Sequence, residues 1–171
     1  ALGLHTQLQQ DLSSTQKALR IININFPNTQ HRLKAKLIAI EGNILQAAND
    51  PNVIDHYNRI IKLFAAQKEE QLLDYTYTEA LLGKARYFTT TGALDSALYY
   101  YERAIENDFS TQQLITSPKD QIRNNRYNRE TIEALITLVS SNEALHKQPS
   151  VLQQVLWCIE LSKARLLINE I

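Results

Sequence analysis

Apolar residues recur along most of this chain at intervals of three and four, the spacing that gathers side chains onto one face of an α-helix. Prolines and glycines, four of each, mark where the pattern stops. Asp50-Pro51 and Ser117-Pro118 each place a capping side chain before a proline. The side-chain oxygen can accept from an orphan N–H, and proline lacks a donor that would go unused at the first helical position. Pro27-Asn28 and Pro149-Ser150 put the proline just ahead of a capping residue, and Gly92 stands where a helix stops. The pattern predicts about seven helices, over 3–24, 29–48, 51–67, 71–91, 94–107, 118–146 and 150–169, with a polar connector at 108–117. The β-branched run IININF at 21–26 has no second strand to pair with and is read as the apolar end of the first helix.

The helices come in pairs joined by short connections, which raises the question of an internal repeat. Ile38, Gly42 and Leu45 read apolar, small, apolar, and Leu81, Ala85 and Phe88 repeat that order 43 residues later. Their partner helices carry Ile54 and Ile61 in one copy and Ala97, Tyr101 and Ala104 in the other, with Asn58 falling where Tyr101 sits. Within the run Tyr99-Tyr100-Tyr101, only Tyr101 shares a face with the two alanines. It is therefore the expected core aromatic, while Tyr99 and Tyr100 fall among charged and polar positions. The expectation is one all-α domain over 1–171: an N-terminal helix at 3–24 and helical pairs at about 29–67, 71–107 and 118–169.

The segment LLGKARYFTTTGALDSALYYYERAIE, 81–106, resembles a tetratricopeptide repeat. Ala85 holds the small position where paired helices cross, Gly92 the turn, and Ala97, Tyr101 and Ala104 the Ala–aromatic–Ala pattern of the second helix. The repeat is longer than the ~34 residues usual in that family, and no proline follows the second helix, so the resemblance is to an irregular, long-repeat variant. It implies antiparallel pairs stacked as a short right-handed solenoid whose first helices line a groove. That groove would present Lys36, Asn43 and Gln46 from one repeat and Glu79, Arg86 and Thr89 from the next. It also implies a protein or peptide partner, and a role as scaffold or regulatory arm. Some members clamp a terminal carboxylate with a lysine and an asparagine; Asn43 fits the asparagine, but Ala39 stands where the lysine belongs. The last helix, with Glu160, Ser162, Lys163, Ala164, Arg165 and Leu167, resembles the helix that closes repeat arrays ahead of a caspase-like CHAT domain. Together with the absence of methionine, this is read as a piece of a longer protein.

Composition narrows the classes of function. Lys plus Arg and Asp plus Glu are 18 each, for zero formal net charge, so there is no bulk attraction to nucleic acid or to an anionic membrane. No apolar run approaches the roughly 18 residues of a membrane span, and ALGLHTQLQQ does not read as a signal peptide. One cysteine, Cys158, allows no internal disulfide and fits a cytoplasmic setting. It lies in the apolar run VLWCIEL with no neighbouring base to activate it, and is read as a small buried hydrophobe. His5, His31, His56 and His146 are scattered and read as surface histidines, without the convergence that a metal site needs. Neither a catalytic constellation nor a cofactor is expected. Two alternatives to protein recognition stand: a nucleic-acid face on KDQIRNNRYNRE, using Lys119, Arg123, Arg126 and Arg129, and a helical sensor that encloses a small ligand. The oligomeric state is left open.

Overall fold

The computed structural model describes residues 2–27, 31–48, 50–65, 75–112 and 118–168, and every regular element among them is a helix. In chain order these are α1 (Leu2–Asn25), α2 (His31–Ala47), α3 (Val53–Phe64), α4 (Tyr75–Thr91), α5 (Leu94–Gln112), α6 (Pro118–Ser141), α7 (Glu143–His146) and α8 (Pro149–Ile168). IININF is indeed the end of a helix, α1. Gly92 does stop α4: at φ +77° its N–H bonds to Thr89 O while the Ala93 N–H reaches back to Phe88 O. That pair of bonds is the Schellman arrangement, and glycine adopts its left-handed corner without a Cβ penalty. The entry to α3 is set two residues later than Asp50-Pro51 implies: Asn52 is the cap residue, without a side-chain cap bond, and Asp50 closes the turn ahead of it by accepting from the Asn52 N–H at 2.8 Å. The predicted ends of the third helix after 65, the start of the fourth before 75, and Ser117 lie outside the described residues.

Three expectations are corrected. The connector at 108–117 is helical through Gln112, with Ser110 and Thr111 hydroxyls returning to the carbonyls of Glu106 and Asn107. The predicted helix 118–146 is two helices. The Asn142 side-chain amide donates to Leu138 O at 2.8 Å, taking the carbonyl that its own backbone N–H would use, and its backbone turns extended (φ −114°, ψ 107°). Pro149 is the first residue of α8 rather than a residue ahead of the cap, and Leu152 N–H bonds to Gln148 O.

The chain forms two compact units, Ala1–Lys84 and Ala85–Ile171. In the first, α2 packs on both α1 and α3. Tyr57 of α3 is 3% exposed, its ring in contact with Gly42 of α2 and its hydroxyl donating to Gln46 Oε1 at 2.8 Å. Glu41 pairs with Arg59, whereas Gln46, further along α2, meets Tyr57, earlier on α3, so α2 and α3 run antiparallel. The other side of the Tyr57 ring faces Gly83 of α4, so closely that a Cβ there would lie 2.3 Å from Cζ. Val53, Ile60 and Phe64 share the buried face of α3 with Tyr57, and Phe64 meets Tyr77 edge to face. The expected equivalence of Asn58 to Tyr101 is therefore wrong. Asn58 is exposed and accepts from Lys84 Nζ at 2.8 Å, while the aromatic wedge is its neighbour Tyr57.

In the second unit, α5 packs on α6 and α8, and α7 and α8 both pack on α6. Ala97, Tyr101, Ala104 and Ile105 are buried, as are Leu135, Leu138 and Val139 of α6, Leu145 of α7 and Cys158 of α8. The expected core face of α5 is thus the observed one. Tyr99 is exposed and Tyr100 half-buried, stacked on Phe88 at 5.6 Å, which shows that α4 and α5 fold back on each other across Gly92.

Two substitutions check these packings. In an exposed helix, Gly→Ala stabilises by up to about 1 kcal/mol; Gly83→Ala is expected instead to cost about 1–3 kcal/mol through overpacking against Tyr57. Urea melts should show Gly83→Ala and Tyr57→Ala to be strongly sub-additive, because the second removes what the first strikes. Ala97→Arg buries a charge without a partner and should cost several kcal/mol, about 3–5; an unchanged melting temperature would remove Ala97 from the core.

Candidate functional site

Helix α2 buries Ala35, Ile38, Ala39, Gly42 and Leu45 and leaves a continuous outer stripe of Leu33, Lys36, Ile40, Asn43 and Ala47. The spacing alternates three and four, which is the a/d seam of a coiled-coil helix. Leu33 is 45% exposed and Ile40 48% exposed. The predicted groove residues Lys36 and Asn43 thus stand interleaved with two large apolar side chains that the sequence reading passed over. The signal was present in the heptad spacing, but those positions carry no mark of which face is covered. Gln46 is different: it is half-buried, and its carbonyl oxygen serves Tyr57.

On α4, Glu79 and Arg86 are exposed. Thr89 bonds its own helix at Ala85 O and lines, with Tyr101, Thr137 and Asn142, an open cleft of about 560 Å³ within the second unit. The hydroxyls of Thr89, Thr137 and Ser141 there donate to backbone carbonyls of their own helices, so the cleft presents few uncommitted donors. Of the basic stretch, Arg129 is exposed and bonds Glu133 one turn on, at 2.7 Å. That carboxylate raises the Arg129 pKa above its usual value, first through the hydrogen bond and then through charge. Lys119, Arg123 and Arg126 belong to α6, and their side chains lie outside the described residues.

Two clusters were missed by sequence reasoning. Around Glu41, which is buried, Gln16 of α1 donates to Oε1 at 3.0 Å, while His56 Nε2 and Arg59 of α3 approach Oε2 at 3.0 and 3.5 Å. His56 is consequently a largely covered residue whose Nδ1 faces Asn52 O, and the surface reading of it fails. No local motif joins positions 16, 41, 56 and 59; only packing of three helices does. On the α4–α5 hairpin, Tyr87, Phe88, Tyr100 and Tyr99 form an unbroken run of ring contacts at 5.0–5.6 Å. Its middle members are half-buried and Tyr99 is open to solvent. Among the described residues, no group of three or more His, Cys, Asp or Glu could hold a metal ion, and no helix is long and apolar enough to cross a membrane.

Cys158 is fully buried, as its apolar run implies. Burial first, and then the nearby Glu102 and Glu106 carboxylates, push its thiol up to about 12. A comparison with family models, curated proteins and solved structures finds no match to this chain.

The thiol gives a pH prediction. Its folded pKa lies above the ordinary 9.0, so unfolding is favoured wherever only the unfolded thiol ionises. The contribution is fully present below pH 9 and is lost as pH rises toward 12. The melting temperature should therefore fall more steeply above pH 9 in the parent than in Cys158→Ala. Iodoacetamide at pH 8 should label Cys158 only in denaturant.

Proposed function

We propose that this chain is a protein-recognition module, the scaffold or regulatory arm of a larger intracellular protein, which docks a partner segment along the outer face of α2. One observation carries the reading: Leu33 and Ile40 are large, apolar and about half exposed in register with exposed Lys36 and Asn43. Apolar anchors spaced by seven on a rigid helix suit a partner helix, since each fills a hole between four residues of the facing helix. Lys36 and Asn43 between them favour an acidic or amide-bearing partner and set its register, and the preformed helix loses little ordering entropy on binding. Antiparallel packing of α2 on α3, with the turn at Gly92 that stacks Tyr100 on Phe88, is what supports a tetratricopeptide-like reading of the architecture, with α2 in the place of a groove-lining first helix. The closing Glu160–Leu167 pattern is the support for an attached CHAT-type domain. A nucleic-acid role draws less support, because Arg129 is taken up by Glu133.

The test is retention of partners from source-cell lysate, nuclease-treated and at two salt concentrations. It compares the parent with Leu33→Asp/Ile40→Asp and with Tyr99→Ser as a surface control. A protein held by the parent and by Tyr99→Ser, and lost at least about tenfold by the α2 variant, is the expected result. Equal retention by all three, or retention that nuclease alone abolishes, overturns the α2 face.

A further inference from the structure

The cleft of about 560 Å³ in the second unit is open because short side chains line it: Thr89 and Gly92 at the end of α4, Ala134 and Ser141 on α6. Tyr101 of α5 and Leu138 of α6 are its buried floor. Among the described residues the Tyr101 hydroxyl has no hydrogen-bond partner, whereas a buried phenol normally finds one. Tyr101 keeps 3% of its surface accessible and lines the cleft, so its hydroxyl is reached from there. The first unit shows what is missing. Its counterpart, Tyr57, stands 44 residues earlier, and the Tyr57 hydroxyl donates to the side-chain carboxamide of Gln46 at 2.8 Å. In the 43-residue alignment of the first helices, Gln46 falls on Thr89. Thr89 is too short to take that place, and its own hydroxyl donates to Ala85 O at 2.9 Å. The second unit therefore has the phenol and the space, but no amide.

We infer that this cleft binds a small, uncharged primary carboxamide with an apolar tail, its carbonyl oxygen on the Tyr101 hydroxyl. The ligand does for Tyr101 what Gln46 does for Tyr57. The remaining polar groups fit the rest of a carboxamide, which has two N–H donors beside its one carbonyl. Thr137 donates its hydroxyl to Glu133 O, and the Asn142 amide donates to Leu138 O. Those donors are committed to backbone, so Thr137 Oγ1 and Asn142 Oδ1 are left as acceptors. Leu94, Ala134 and Leu138 supply apolar wall for the tail. Among the described residues, none that line the cleft is charged. A carboxylate would give up its water there without meeting a cation, and an ammonium without meeting an anion. This inference does not depend on the docking face of α2.

The experiment titrates the full chain with hexanamide, hexanoate and hexylamine, by calorimetry and by thermal melting. Hexanamide is expected to bind and raise the melting temperature, with hexanoate and hexylamine each at least about tenfold weaker. Tyr101→Phe removes only a hydroxyl that bonds nothing, so it should melt like the parent without ligand and lose the hexanamide response. Thr89→Gln restores the amide of the first unit; it should melt above the parent and no longer respond to hexanamide. If that variant does not fold, Tyr101→Phe and the two charged analogues still decide. No response to hexanamide at about 20 mM, equal binding of either charged analogue, or an undiminished response in Tyr101→Phe or in folded Thr89→Gln overturns the inference.

Discussion

A tyrosine ring between two glycines sets the geometry of the first unit. Tyr57 of α3 lies against Gly42 of α2 and is pressed to Gly83 of α4 more closely than any side chain there would allow. Helix backbones approach closely only where side chains are small, and the ring then supplies the buried area that the glycines lack. The phenol needs a partner once buried, and Gln46 provides it. Three helices are thereby fixed by one side chain: the ring sets their separation and the hydroxyl their register. In the second unit Tyr101 is buried between the alanines at 97 and 104, a gentler solution in which methyl groups replace bare backbone.

Around that wedge the inner helix faces carry charge that a simple apolar core would exclude. Lys34, Glu41 and Lys84 are all buried, and each is met by polar groups that sequence distance hides. Lys34 Nζ reaches the carbonyls of Phe26 and Pro27 at 2.5 and 2.8 Å, closing the carbonyl end of α1 where a cation is favoured by the helix dipole. Lys84 donates to Asn58. Glu41 faces Gln16, His56 and Arg59. Burying such groups is costly unless hydrogen bonds replace water, so these contacts tie α1, α2, α3 and α4 to specific neighbours more than they strengthen the unit.

These features divide the labour of the molecule. Glycine and aromatic packing brings α2 and α3 close together, and the stripe from Leu33 to Ala47 is left on the outer side of α2. Glu41 lies on the buried part of the same helix, so α2 carries an apolar edge outward and a paired charge inward. In the second unit the aromatic run from Tyr87 to Tyr99 and the exposed Leu156 and Trp157 of α8 show that apolar area remains at the surface there too.

Most of the helices were legible in the sequence, because local chemistry suffices for them: three-and-four spacing and the Gly92 stop. The break at Asn142 was not, since an asparagine side chain competes with its own backbone only where the geometry lets it reach Leu138. The core faces of α5 and α8 were legible, as Ala97, Tyr101, Ala104 and Cys158 attest. The face of α3 was not. The first helices align at 43 residues, but Val53, Tyr57 and Ile60 match Ala97, Tyr101 and Ala104 at 44, and one residue turns a helix by about 100°. Lys36 and Asn43 could be placed outside from periodicity, whereas Leu33 and Ile40 beside them could not, because an apolar residue declares itself exposed only when no neighbour covers it. The sequence alone determined where most of the helices form, the core face of α5, and that Lys36 and Asn43 face water. Tertiary packing decided which ring fills which gap and which charges meet, because those contacts join residues that share no local pattern.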